Sequence, residues 1–396
     1  MKKSLLAVAA IGAFASAAQA QSSVTVYGIL DVGFQGVTSR APTSATNLGN
    51  NSTNITRFSG EGAESTSRLG FRGTEDLGGG TSAFFTAEFA LNPTDSNLSG
   101  NANTGLSNRQ SFVGLKKNGI GQAAIGTQYT PVHLAVGRTD PGQQNNMLGN
   151  VIYATNASQG NGQTTTSYTV RYNNALTLQT DRFAGFQAYG IYNNNNSNAN
   201  SPSTTQTVTN NTALGIGINY VWNKLNVDYA LNSSKQETIT AGVFGTAALP
   251  VANTISAVAN PLGTAVGILT NYAGVTYDFG VLKAYAQYIN TKYTANSSSN
   301  TYVQRAAQQI GVRSFVTPAV EVWASGGTGT LNAGNNAAVT TTRATQDFTG
   351  YQLGSNYWLS KRTNLYAIFG STQVSSSSVA ASEGGSSYGI GVRHTF

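Results

Sequence analysis

Val281-Leu-Lys-Ala-Tyr-Ala-Gln-Tyr-Ile-Asn290 decides the fold. Leu282, Ala284, Ala286 and Tyr288 fall on one side of an extended chain, and Lys283, Tyr285 and Gln287 fall on the other. Successive strand side chains point to opposite faces, so this period of two marks a ribbon with one apolar and one polar face. The same alternation sets Leu69 and Phe71 against Arg68, Arg72 and Thr74. At the end of the chain it sets Tyr388, Ile390, Val392 and Phe396 against Gly389, Gly391, Arg393 and Thr395.

Segments of this kind recur at 24–37, 65–73, 82–90, 109–116, 122–128, 167–175, 183–192, 212–221, 225–233, 272–278, 281–293, 302–316, 319–329, 348–358, 363–374 and 386–396. That makes sixteen strands, an even number. The links between them alternate in length. Tight turns rich in Gly, Asn or Pro lie at 76–80, 118–121, 223–224, 279–280, 317–318 and 359–362, and the intervening links are long and rich in Asn and Ser. A soluble sandwich has no reason to sort loop lengths by end, whereas an outer-membrane barrel has short periplasmic turns and long external loops. Trp222 and Trp358 lie beside short turns, where an interfacial aromatic girdle is expected. The link 236–270 is rich in Ala, Val, Ile and Leu for an exposed loop, which leaves an eighteen-stranded alternative open.

Composition agrees. Only 9% of residues are charged, against about 25% in soluble domains. Cysteine is absent, so disulfides and thiolate metal sites are excluded. No dense Lys/Arg run or zinc-finger pattern points to nucleic acid. Lys2 and Lys3, the apolar run after them and Ala18-Gln-Ala20 read as a secretion signal, 1–20, removed to leave a barrel at 21–396. No later apolar run is long enough for a spanning helix, so entry into a membrane requires a closed barrel.

Arginines orient the wall, since one on the lipid face at mid-height costs about 2–4 kcal/mol. Arg68, Arg72, Arg109 and Arg171 are therefore expected to point inward, with Leu69, Phe71, Phe112, Val170 and Tyr172 outward. An interior lined by Arg, Lys, Gln, Asn and Thr holds water. Nothing supports catalysis or a cofactor. His133, in a short helical turn of the third long link, and His394, on the lipid side, are isolated from any nucleophile or acid, and no metal constellation appears.

Five stretches together carry a family resemblance: Ser23-Val-Thr-Val-Tyr-Gly-Ile-Leu-Asp31, Ser67-Arg-Leu-Gly-Phe-Arg-Gly-Thr-Glu-Asp-Leu-Gly-Gly79, Arg109-Gln-Ser-Phe-Val-Gly-Leu115, Val170-Arg-Tyr-Asn173 and Val392-Arg-His-Thr-Phe396. They resemble the general diffusion porins of Gram-negative bacteria, in particular the betaproteobacterial type. The resemblance implies an all-β, sixteen-stranded antiparallel transmembrane barrel assembled as a homotrimer in outer-membrane lipid. It implies a third external loop, about 129–163, folded inward as a constriction for small hydrophilic solutes, and a terminal Phe396 read by the barrel-insertion machinery. Arg68 and Arg109 match the family's basic wall, with Arg72 and Arg171 beside them. The family's Pro-Glu-Phe-Gly-Gly segment is missing from the third loop, which offers only Asp140 as an acid; Asp31 on the first strand is the other candidate for the acidic side. The expected function is passive diffusion with a mild anion preference. A substrate-specific channel, for sugars for example, and a surface adhesin or phage-receptor barrel are the competing functions.

Overall fold

The computed structural model describes residues 23–42, 50–99, 105–154, 167–195, 207–240, 265–296, 298–334, 345–376 and 383–396. The expected signal segment lies outside these. In chain order the strands are β1 (Ser23–Pro42), β2 (Asn50–Ser59), β3 (Arg68–Gly78), β4 (Thr81–Ala90), β5 (Ser107–Lys117), β6 (Gly121–Tyr129), β7 (Arg171–Thr180), β8 (Phe186–Asn195) and β9 (Thr207–Trp222). They continue as β10 (Leu225–Thr240), β11 (Ala265–Asp278), β12 (Lys283–Ala295), β13 (Ser298–Thr317), β14 (Val320–Ala333), β15 (Thr345–Trp358), β16 (Thr363–Ser376) and β17 (Glu383–Thr395). One helix, α1 (Pro131–Thr139), follows β6.

Every strand pairs antiparallel with its neighbours, and β1 closes the sheet on β17, from Ile29 opposite Thr395 to Arg40 opposite Gly384. On its other side β1 pairs with β3 over Ser23 to Ile29 and with β2 over Gly33 to Pro42. β2 and β3 thus fill one position end to end, and the seventeen segments make a sixteen-stranded barrel. The break between them, 60–67, leaves the wall. Its freed backbone groups need partners, and Asp31 supplies them: its carboxylate accepts from the amides of Glu64 and Ser65 and from the Tyr366 hydroxyl, while its own amide donates to Ser67 Oγ.

The apolar link 236–270 adds no strand to the wall, because β10 and β11 pair directly up to Glu237 opposite Ala265; its middle, 241–264, lies outside the described residues. The sixth external link is shorter than the sequence suggested. β12 and β13 continue pairing to Ala295 opposite Ser298, since Asn/Ser/Thr-rich chain can extend a ladder where no lipid demands apolar side chains. At the opposite end Gly78, Gly79 and Gly80 all have positive φ, which only glycine adopts without strain, and they close the β3–β4 turn.

The decisive stretch behaves as read: Tyr285 and Gln287 are buried on the inner face and Tyr288 is exposed on the outer. Two bulges overturn the orientation of its counterparts elsewhere. Between β4 and β5, Glu88 faces Gln110 and Phe89 faces Asn108, so Arg109 is the extra residue. An inserted residue flips the parity of everything after it. Phe112 therefore turns inward, edge-on to Phe84, while Val113 and Leu115 face outward at 62% and 56% exposure. Between β6 and β7, Gly126 faces Ala175 and Gln128 faces Tyr172, leaving two residues against one, with Asn174 at φ 50°. Tyr172 is consequently buried, at 4% exposure.

β7 itself lies later than expected, because Leu176 and Leu178 continue the outward alternation and 167–170 belong to the base of the preceding loop, where the Thr130 amide and hydroxyl donate to the carbonyls of Val170 and Thr169. Trp222 is exposed beside its turn, near the stacked Phe186 and Tyr220 rings, 4.3 Å apart. Trp358 instead shares the inner face of Gln352 and Asn356 and lies under the Arg393 guanidinium, 5.8 Å from the ring.

The corrected parity is testable in this cysteine-free chain. In reconstituted protein, a water-soluble maleimide should label Phe112→Cys and spare Val113→Cys, and a lipid-partitioned maleimide should do the reverse. Labelling in the opposite sense would restore the unbulged register.

Candidate functional site

The two bulges set Arg109 and Arg171 on the inner wall with Arg68 and Arg72 of β3. Arg109 Nε donates to Glu88 Oε1 at 2.8 Å, and Arg68 Nη1 lies 3.9 Å from the same oxygen. The Tyr27 hydroxyl donates to Glu88 Oε2 at 3.1 Å. Arg109 Nη2 donates to the Tyr129 hydroxyl at 3.0 Å, the Arg171 guanidinium sits 4.9 Å over the Tyr129 ring, and Arg72 sits 5.3 Å from the centre of the Tyr27 ring. Arg68 is aimed by bonds to the Thr66 carbonyl and Ser65 Oγ at the edge of the excursion. Two of the four cations thus share one carboxylate and the other two rest on π faces, and each contact offsets part of their mutual repulsion. Glu88 was not singled out from the sequence. Its signal was there: Phe84, Thr86 and Glu88 alternate with Phe85, Ala87 and Phe89, so an inward strand position carries an acid.

The segment after β6 lies against the polar face of the wall. Thr130 caps α1, its hydroxyl accepting from the His133 amide at 3.3 Å, and Pro131 occupies the first turn, where no amide is needed. α1 packs on β8 to β12. Arg138 bonds Asp228 at 2.6 Å and the Tyr189 hydroxyl at 2.5 Å, and Thr139 meets the Tyr272 hydroxyl. Beyond the helix the contacts move round the barrel. Asn145 and Gln352 exchange amide bonds of 2.9 and 3.1 Å, the Leu148 amide donates to Ser387 Oγ, and the Gly149 amide donates to Thr372 Oγ1. Val132, Val136, Val151 and Ile152 are buried against Ala230, Tyr272, Ile289 and Phe348 of the wall. Residues 155–166 of this loop lie outside the described residues.

Asp140 and Asp31, the two acids expected to face the arginines, are placed differently. Asp140 is 2% exposed and accepts from the Gln144 amide, Asn150 Nδ2 and Gln309 Nε2, so it ties the loop to itself and to β13. Burial pushes its pKa up, against the pull of those donors. Asp31 is fully buried and holds the excursion described above. Both spend their charge on backbone and amide donors of the scaffold. Three further acids of the described interior are each paired with a single arginine: Asp228 with Arg138, Glu321 with Arg313 at 2.5 Å, and Glu64 with Arg393 at 3.3 Å. Phe396 reaches β1, exchanging backbone bonds with Gly28.

The model of the Gram-negative porin family matches residues 7–377. The chain belongs to that family. This porin is 30% identical to an outer membrane porin protein of Bordetella pertussis over the whole length of both chains. It is 34% identical to outer membrane porin protein 32 of Delftia acidovorans over 48% of each. Among solved structures, the anion-selective porin from Comamonas acidovorans superposes with a TM-score of 0.65 at 23% identity, covering 95% of this chain and all of the other. The fold and these relatives place the porin in a Gram-negative outer membrane.

His133 lies where the arginine wall meets the loop. Its ring packs on Tyr129 at 4.4 Å, and its Nδ1 is 3.1 Å from Gln144 Nε2 and 3.3 Å from the Tyr168 hydroxyl. Burial, reinforced by the charges of Arg171, Arg109 and Arg68, holds the imidazole well below its usual 6.5. A histidine kept neutral by folding leaves the docked loop at full strength above about pH 6.5 and weakens it as pH falls below that value. Asp140 has the reverse sign, its contribution being full below the usual 3.8 and lost as pH rises through its raised pKa. Comparison with His133→Gln isolates the histidine. Amide exchange in α1 should be slower in the wild type by a constant factor above pH 6.5, and that factor should shrink towards pH 5. A factor equal at both values would remove His133 from the docking.

Proposed function

We propose that this porin is a water-filled channel for passive diffusion of ions and small hydrophilic solutes, with a mild preference for anions. The arginine cluster carries the reading. Of Arg68, Arg72, Arg109 and Arg171 only Arg68 and Arg109 meet a carboxylate, the single Glu88, and the uncompensated charge acts over the roughly 8 Å Debye length of physiological salt. The third external loop, folded inward against the polar wall, forms the other side of the constriction. Asp140 and Asp31 act there by holding the loop and the excursion in place. The reading extends to a homotrimer in outer-membrane lipid, secretion with removal of residues 1–20, and recognition of Phe396 by the insertion machinery. Selectivity in such a pore comes from width and wall charge rather than from tight binding.

Reversal potentials in a salt gradient across planar bilayers test the electrostatic reading. The wild type should be anion-selective, Glu88→Gln more so and Arg109→Gln less so. A cation-selective wild type, or a Glu88→Gln shift in the opposite direction, would refute it. Deleting 140–154 should raise single-channel conductance, and an unchanged conductance would take the loop out of the constriction.

A further inference from the structure

Arg305 stands apart from the arginines described above. It lies on β13 eight residues before Arg313, on the same inner face, between Thr291 of β12 and Leu331 of β14. Because the tight turn to β14 follows Arg313, Arg305 is on the far, loop side of the third loop, whose Val151 carbonyl accepts from its Nη2 at 2.7 Å. Its guanidinium sits 4.4 Å over the Phe348 ring, and the residue is 2% exposed. Nε and Nη1 find no hydrogen-bond partner, whereas Arg57, Arg171 and Arg393 each leave a single nitrogen so. A buried guanidinium with two unmet donors is costly unless an anion completes it.

The chain has little to offer for that purpose. Asp140, the acid of the adjoining loop, is engaged by Gln144, Asn150 and Gln309. The links 43–49, 100–104, 155–166, 196–206, 241–264, 335–344 and 377–382 contain no Asp or Glu in sequence, and their only charged residue is Arg343. Among the described residues no carboxylate reaches Arg305, Asp347 beside Phe348 being exposed on the opposite face, so solution is the source of a counter-ion. The surroundings say what kind: besides Phe348, the inner face around Arg305 carries Tyr293, Val303 and Leu331, buried together. These side chains now cover one another, and parting them gives an apolar body the same cover, which a small inorganic anion cannot use.

We infer that Arg305 is the head-group site of a binding position for organic monocarboxylates with a small apolar body, on the loop side of the constriction. The carboxylate takes the free Nε–H and Nη1–H, and the apolar body lies among Phe348, Tyr293 and Leu331. This rests on the channel reading above and names a solute class that the pore retains as well as passes.

The test is single-channel recording in potassium chloride with benzoate added on the loop side, against acetate, which has the charge without the body, and benzamide, which has the body without the charge. Benzoate should reduce the chloride current saturably, at concentrations where the other two do not. Arg305→Gln should weaken the block about tenfold or more, as expected for loss of a charge-assisted pair, and Arg305→Lys, which keeps the charge but not the planar fork, should fall between. The reversal potential of the same channels reads the constriction separately: a cation-selective pore still blocked by benzoate through Arg305 would overturn the selectivity reading and leave this site standing. No block in the wild type, equal block by acetate or benzamide, or block unchanged in Arg305→Gln would overturn the site.

Discussion

Hydrocarbon offers no hydrogen-bond partner, so a sheet crossing it must leave no edge, and the rest of the molecule depends on how β1 meets that demand. β1 is a seam with three partners. It takes β17 along one side and, on the other, two strands laid end to end. The gap between those two lets the chain leave the wall, and it is stable because Asp31, on the seam itself, satisfies amides that the gap frees. A carboxylate that by position could have lined the interior is spent on closing the cylinder.

Closure makes parity absolute. Once the ring is complete, a side chain faces lipid or interior according to its count along the strand, and only a bulge can change the count. The alternation in 281–290, the sorting of link lengths and the inward arginines were all legible in the sequence because each follows from one period repeated many times. The orientations of Phe112 and Tyr172 were not. A bulge leaves almost no trace in composition: Arg109 and Asn174 look like any polar residues in a polar-apolar alternation. Trp358 was misplaced for a related reason, since proximity to a turn does not fix which face a residue takes. Glu88 was readable by the same period of two and needed only the question of what an acid does on a strand whose neighbours carry arginines.

The loop contacts were illegible because they join residues about 80 to 240 positions apart through neutral groups. Asn145 with Gln352, Leu148 with Ser387 and Asn146 with Gly62 and Thr66 share no pattern that a sequence scan detects. Amide pairs suit the task. Each is saturated on both sides, so the loop is held by many modest bonds with their donors and acceptors matched, and the absence of a family-type acidic segment there removes a field without removing the anchor.

Charge is therefore handled in two ways on the inner surface. Opposite the arginine cluster, Arg138 of α1 and Arg313 and Arg393 of the wall each meet one acid, Arg305 on β13 being the exception, and a close pair has a field that falls off steeply with distance. From β3 to β7, four guanidinium groups stand beside one carboxylate that two of them touch, an excess of three positive charges, and the other two lie over tyrosine rings that soften repulsion without cancelling charge. A solute passing between the two walls feels mainly the unbalanced one. The bulges that spoil the simple alternation are what gather that imbalance, since without the extra residue at 109 the register that brings Arg109 onto Glu88 beside Arg68 would be lost.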